Sequence, residues 1–180
     1  SNKAKNANLQ RYAEAFSFLQ SKNLYTVDDL ENTLYSMQDK IDALKKSASA
    51  KQARIKEVDA LLRMVDYYKS GKPAADKLKS IRFEKSRQKY KSEHDDELRT
   101  FYMAERKLKP YFKDGKLPIT AWRREREQLE QDCKDIQTEL SPLHADAKKL
   151  WAIHYNIYEV QHEQERQNTA MRQKKQEMER

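Results

Sequence analysis

From Leu30 to Val65 the apolar residues fall at alternating intervals of four and three. They are Leu30, Leu34, Met37, Ile41, Leu44, Ala48, Lys51, Ile55, Val58, Leu62 and Val65, and only Lys51 is not apolar. An average spacing of 3.5 keeps one stripe of a helix facing one partner, as in a coiled coil. A stripe this long must be covered, because burial at ~25 cal/mol per Å² is what offsets the entropy of ordering so long a helix. Thr26-Val27-Asp28-Asp29 supplies a start, with Thr26 as N-cap and acids in the first turn. Ser70-Gly71-Lys72-Pro73 supplies a stop signal. The pattern predicts a helix over 27–68, about 63 Å long.

A second stripe answers the first: Trp122, Arg126, Leu129, Cys133, Ile136, Leu140, Leu143, Ala147, Leu150, His154 and Ile157. Its helix, 119–160, matches 27–68 in length, so the two read as arms of an antiparallel hairpin. Pro142 lies inside the second arm, where a proline removes a backbone hydrogen bond and clashes with the turn before it. Ser141 could cap a new helix with Pro142 at its first position. The unbroken register through Leu140 and Leu143 favours one kinked helix instead. End-matched arms set Pro142 opposite Ser47-Ala48-Ser49-Ala50, whose small side chains would accommodate the kink.

Shorter pieces surround the arms. Leu9, Tyr12, Ala13, Phe16 and Leu19 mark an amphipathic helix near 4–21. Ser92 with Asp95 reads as a capping box for a helix over about 93–109 carrying Leu98, Phe101, Tyr102 and Leu108. Pro110 and Lys113 to Pro118 form the loop after it. The expected fold is therefore all-α: an elongated antiparallel helical hairpin, coiled-coil-like, with shorter helices at the ends. It spans residues 1–160, with a basic middle segment at 72–116. Residues 161–180 form a charged tail with only Met171 and Met178 as large apolar residues, expected to be helical or frayed.

Composition narrows the function. The chain has 180 residues, 37% of them charged, with 2 Gly and 1 Cys. Two glycines cannot furnish a phosphate-cradling Gly-rich loop or a dinucleotide-binding turn, and one cysteine excludes an internal disulfide or a cysteine-rich zinc site. The longest run without Asp, Glu, Lys or Arg in the apolar C-terminal region, Leu150 to Tyr158, is far short of the ~20 residues needed to span a bilayer. No signal peptide is visible. The opening Ser1-Asn2, without Met, reads as a tag remnant on a piece of a longer protein. Together these features describe a cytoplasmic, basic, helical module.

The net charge of +8 is unevenly placed. Residues 72–91 hold eight bases (Lys72, Lys77, Lys79, Arg82, Lys85, Arg87, Lys89, Lys91) against Asp76 and Glu84, interleaved with Phe83 and Tyr90. In an extended chain Lys85, Arg87, Lys89 and Lys91 would form a row of cations about 6.6 Å apart. Such a row suits a phosphate backbone, with aromatic rings as stacking platforms for bases. In a helix the cations scatter, while Phe83, Arg87 and Tyr90 still share a face. A second cluster comprises Tyr111, Phe112, Lys113, Lys116, Trp122, Arg123, Arg124 and Arg126. The competing reading makes Phe83, Tyr90, Phe112 and Trp122 core anchors and the cations a solvated rim.

Catalytic signals are lacking. His94, His144, His154 and His162 include no pair three or four residues apart, so no single helix offers a metal site. His154 and Cys133 lie on the apolar stripe and read as core residues. Asp95-Asp96-Glu97 reads as helix-start acid. No tyrosine among the ten has a partnering histidine or acid visible in sequence. No catalytic residue, metal ligand or cofactor is assigned.

Three landmarks that do not depend on helical periodicity carry a resemblance. Tyr12-Ala13-Glu14-Ala15-Phe16-Ser17-Phe18-Leu19-Gln20 followed by Tyr25-Thr26-Val27-Asp28-Asp29-Leu30-Glu31 is the first. Leu78-Lys79-Ser80-Ile81-Arg82-Phe83 through to Tyr90-Lys91-Ser92-Glu93-His94-Asp95-Asp96-Glu97-Leu98 is the second, and Lys116-Leu117-Pro118-Ile119 the third. In this order, across about residues 9–160, they resemble the helical region behind the nuclease domain of relaxases. These are the mobilisation nucleases of conjugative and mobilisable elements in Gram-positive bacteria. Relaxases nick a transfer origin with a tyrosine and a metal-holding histidine cluster. This chain has no His-x-His pair, so neither nucleophile nor metal site carries over. The resemblance implies the non-catalytic part: DNA handling near the nick, docking of relaxosome proteins, or presentation to coupling proteins.

The residues expected to bind nucleic acid are Lys79, Arg82, Phe83, Lys85, Arg87, Lys89, Tyr90, Lys91, Lys113, Lys116, Arg123 and Arg124. Their expected partner is DNA, single-stranded or duplex, with no membrane. The alternative is a coiled-coil interaction scaffold that docks a protein without binding DNA. The stripes themselves could close within one chain or in a homo-oligomer.

Overall fold

A computed structural model describes the backbone of residues 2–178 and the side chains of residues 10–178. The side chain of Leu9, expected on the first helix's apolar face, and the last two residues of the tail lie outside the described residues. Helices dominate: α1 (Asn2–Ser21), α2 (Val27–Ser80), α3 (Glu84–Glu93), α4 (Asp95–Leu108), a 3₁₀ turn (Lys109–Tyr111) and α5 (Ile119–Met178). The chain divides into two compact units, residues 1–46 with 137–180 and residues 47–136. The division falls inside both α2 and α5.

In the first unit α1 ends in a Schellman turn. The amide of Leu24 donates to the carbonyl of Leu19 and that of Asn23 to Gln20, with Asn23 at φ 55°. Asn is one of the few side chains that tolerates this left-handed position. Leu24 thereby folds back onto the cluster of Leu30, Leu34 and Leu150. Helix α2 then starts as expected, and more tightly. The Thr26 hydroxyl accepts from the Asp29 amide at 3.0 Å, while the Asp29 carboxylate accepts from the Thr26 amide at 3.2 Å. That reciprocal pair is a capping box. Glu31 pairs with His154 and Lys40 with Glu139, so α2 and α5 run antiparallel here within one chain.

At Pro142 one expectation, a continuous second arm, holds and another fails. Helix α5 is unbroken through Pro142, so the second arm is not split. Small residues do not face the proline: Leu140 and Leu143, on either side of it, pack with Met37, Ile41 and Leu44. The proline ring is itself exposed, so the helix carries it on its outer side and the core needs no gap. Beyond Ile157 the tail stays helical to Met178, and nearly all of it is exposed.

In the second unit α2 and α5 are again antiparallel, held by Lys51–Asp132, Arg54–Glu125 and Asp59–Arg126. Lys51 and Arg126, the charged members of their stripes, are thus paired across the helices. Every stripe position in both units is buried or half-buried. The expected end at residue 68, before the Ser70–Pro73 stop signal, is wrong, because α2 continues to Ser80 with Pro73 inside it. The reason is packing. Ala74, Ala75 and Leu78 are buried against Leu98 and Phe101 of α4, which repays carrying an exposed proline through the turn. Gly71 ends nothing; it lets α4 approach, since a Cβ there would lie 2.7 Å from the Cβ of Phe101.

The expected capping box at Ser92 is absent too. Ser92 lies within α3, and the break falls at His94, whose side chain makes no cap hydrogen bond. The His94 amide closes α3 onto Tyr90 and its carbonyl opens α4 with Leu98, so one residue serves both helices. The loop after the 3₁₀ turn is a two-residue hairpin. Lys113 and Lys116 exchange two 2.9 Å backbone hydrogen bonds around Asp114 and Gly115, at φ 49° and 73°. Asp-Gly suits the type I′ turn that needs two positive φ values.

Candidate nucleic-acid interface

Charge segregates with the two units. Residues 47–136 hold 23 basic and 16 acidic residues, a net +7, which leaves +1 for the other unit. Ion pairing removes part of that charge from recognition. Arg54 donates to both oxygens of Glu125, at 2.7 and 3.2 Å, and its hydrogen bonds hold the Glu125 carboxyl below its ordinary range. Asp132 is lowered in the same way by hydrogen bonds from Lys51 and Gln128. Arg126 is raised by its bond to Asp59. These groups fix the helix pairing.

The cations around the α2–α3 junction differ. Lys79 lies in the last turn of α2, Arg82 and Phe83 in the three-residue link, and Lys85, Arg87, Lys89 and Lys91 on α3. All are exposed, and Lys79, Arg82, Lys85, Arg87 and Lys91 have no acidic partner among the described residues. Lys72 and Lys89 are tied to Asp76 and Glu93, while Lys77 sits over the Tyr90 ring at 5.2 Å. Because α3 is helical, Lys85 to Lys91 do not form the extended row of cations. An extended strand would have no neighbour to pair with, whereas the helix satisfies its own amides and seats Tyr90.

The aromatic residues divide. Tyr90 is half-buried against the Ala74, Ala75 and Leu78 cluster and lies 4.2 Å from the His94 ring. Phe112 is half-buried and Trp122 buried, both packed in the Val58, Val65 and Leu108 cluster. These three are core anchors. Phe83 is not: it is 79% exposed, in extended backbone, flanked by the unpaired cations.

Lys113, Lys116, Arg123 and Arg124 are exposed and without acidic partners among the described residues, but they belong to a second patch. They follow the C-terminal end of α4, whereas α3 adjoins its N-terminal end, with about 21 Å of helix between. The twelve expected residues therefore form two groups, with Tyr90 withdrawn into the core.

Beside the second patch lies a feature the sequence reading missed. Tyr68, Tyr102, Glu105, Arg106, Lys109 and Phe112 line a surface cavity of about 630 Å³. Tyr68 stacks on Phe101 at 5.0 Å and meets Phe112 edge-on at 5.8 Å. Tyr68 stands more than thirty residues from the others in sequence, so no local motif marks the site.

Among the described residues no cluster of His, Cys, Asp and Glu is arranged to hold a metal ion, and no helix is long and apolar enough to cross a membrane. No protein-family model, curated protein or solved structure matches this chain.

Proposed function

We propose that this chain is a non-catalytic DNA-handling module, of the kind its resemblance to the region behind relaxase nuclease domains implies. In this reading the surface around the α2–α3 junction grips the phosphate backbone. The observation that carries it is five exposed cations without acidic partners among the described residues, Lys79 in the last turn of α2, Arg82 in the link and Lys85, Arg87 and Lys91 on α3, together with the exposed ring of Phe83 in the link. Neutralised cations would be wasted on phosphate. Free ones release counterions on binding, and a bare ring offers a stacking face to any base.

Fluorescence anisotropy of labelled oligonucleotides across a salt series tests the reading. Five phosphate contacts contribute about −4.5 to the log–log slope on duplex and about −3.5 on single strands. The slope should flatten by about 3.6 on duplex and about 2.8 on single strands in the variant Arg82→Gln, Lys85→Gln, Arg87→Gln, Lys91→Gln. No binding at low salt, or binding indifferent to those substitutions, overturns it.

A second reading, a scaffold that docks a relaxosome or other protein, draws on the far end of α5. Met171 and Met178 are 64% and 82% exposed there, past the last core residue Ile157. Self-association or partner capture lost on Met171→Gln and Met178→Gln would favour it.

A further inference from the structure

We propose that the cavity beside α4 takes one unstacked nucleotide, its base against Tyr102 and Phe112 and its phosphate toward Arg106 and Lys109. Where the nucleotide belongs to a bound strand, this rests on the DNA-handling reading; a free nucleotide would not need it. Three observations converge. The aromatic walls are braced, since Tyr68, with Phe101 stacked on it and the Lys72 ammonium over its ring at 5.7 Å, backs the site, and Tyr102 meets Phe101 edge-on at 5.2 Å. Rings held this way present a stacking surface at little further entropic cost, and stacking accepts any base. The rim carries two cations, Arg106 and Lys109, both exposed and both without an acidic partner among the described residues. An apolar peptide side chain would leave those charges unused, whereas a phosphate joined to the planar group engages them. Glu105 supplies an acceptor for the amino or ring N–H of a base. The cavity of about 630 Å³ is within the range of small-ligand sites. It also adjoins the Lys113–Lys116 hairpin and the start of α5, whose cations would carry the neighbouring phosphates.

The test uses the whole chain and 2-aminopurine, whose fluorescence is quenched by stacking, both within a single-stranded oligonucleotide and as the free 5′-monophosphate. Quenching is expected on binding, with affinity about fivefold or more weaker in Tyr102→Ala. Tyr102 is 37% exposed, so that variant keeps its fold, as circular dichroism would verify. Arg106→Gln with Lys109→Gln should flatten the single-strand salt slope by about 1.4. Strand binding without quenching, or quenching unchanged in Tyr102→Ala, overturns the cavity assignment and leaves the backbone grip standing. Free nucleotide bound through Tyr102 without any strand binding supports the cavity and overturns the grip. Displacement of the nucleotide by phenyl phosphate at equal concentration also counts against the assignment, because the site would then read an aromatic phosphate rather than a base.

Discussion

Replacing Gly71 by Ala sets two well-characterised effects against each other. In the middle of a helix the change should help, since Ala is favoured over Gly by about 0.8–1.0 kcal/mol. Here the new methyl would lie 2.7 Å from the Cβ of Phe101 and 3.0 Å from the carbonyl oxygen of Glu97. Ordinary carbon–carbon contact is about 3.5–4.0 Å. No rotamer relieves the overlap, because one contacting atom is a Cβ and the other is backbone, so α4 must withdraw by about 1 Å. Withdrawal loosens Leu98 and Phe101 from Ala74, Ala75 and Leu78, and overpacking of this kind costs about 1–3 kcal/mol. The net expectation is a loss of about 1 kcal/mol, or about 2–4 °C in Tm. Ser70→Ala, exposed and one residue away, combines the propensity gain with loss of the hydroxyl's exposed 3.1 Å bond to the Tyr67 carbonyl, and should be near neutral to slightly stabilising. Urea unfolding followed by circular dichroism measures both variants, with hydrogen exchange of the α4 amides locating the damage. If Gly71→Ala raises the midpoint, the close approach is not what selects glycine here.

Other expectations follow from the same packing. Trp122→Ala removes a buried ring packed edge-on to Tyr111 at 5.4 Å and should cost about 3–5 kcal/mol by chemical denaturation. Pro142→Ala restores a helix hydrogen bond on an exposed face and should stabilise by about 1–3 kcal/mol, visible as a higher Tm. Phe83→Ala should leave stability within about 0.5 kcal/mol and still weaken oligonucleotide binding, a separation that a core role for the ring would not give. Acid should loosen the α2–α5 pairing in the second unit. Glu125 and Asp132 titrate lower when folded, so their contribution is present above the ordinary carboxylate pKa and is lost as pH falls through the folded values. Denaturation midpoints should hold from pH 7 to 5 and drop below about pH 4, and a drop confined to pH 6–8 would contradict the assignment.

The two stripes were readable because a 3.5-residue period is a property of one helix and needs no knowledge of its partner. Thr26 was readable for a similar reason, since capping is completed within four residues. The misreadings at Ser70–Pro73 and Ser92 share a cause. Local stop and start signals were outweighed by contacts with residues far along the chain, Leu98 and Phe101 in the first case and Tyr90's seat on α2 in the second. At the interface, charge concentration was legible and charge availability was not. Only the fold distinguishes Arg87, free in solvent, from Arg126, committed to Asp59 and Glu130. The aromatic cavity was invisible because Tyr68 joins Phe112 across a turn of tertiary structure.

Helix α3 is ten residues long and buries part of one side chain, Tyr90. A helix of that length is marginal by itself in water, so its persistence depends on a single ring and on His94, which ties its last turn to α4. Unwinding α3 therefore costs little compared with unwinding any neighbour, and its amides should exchange fastest in the second unit. A ligand that prefers its cations in a line rather than around a cylinder could draw Lys85, Arg87, Lys89 and Lys91 into register at that modest cost. The weakest helix thus gives this surface a choice of two charge spacings, about 1.5 Å of rise per residue when wound and about 3.3 Å when drawn out.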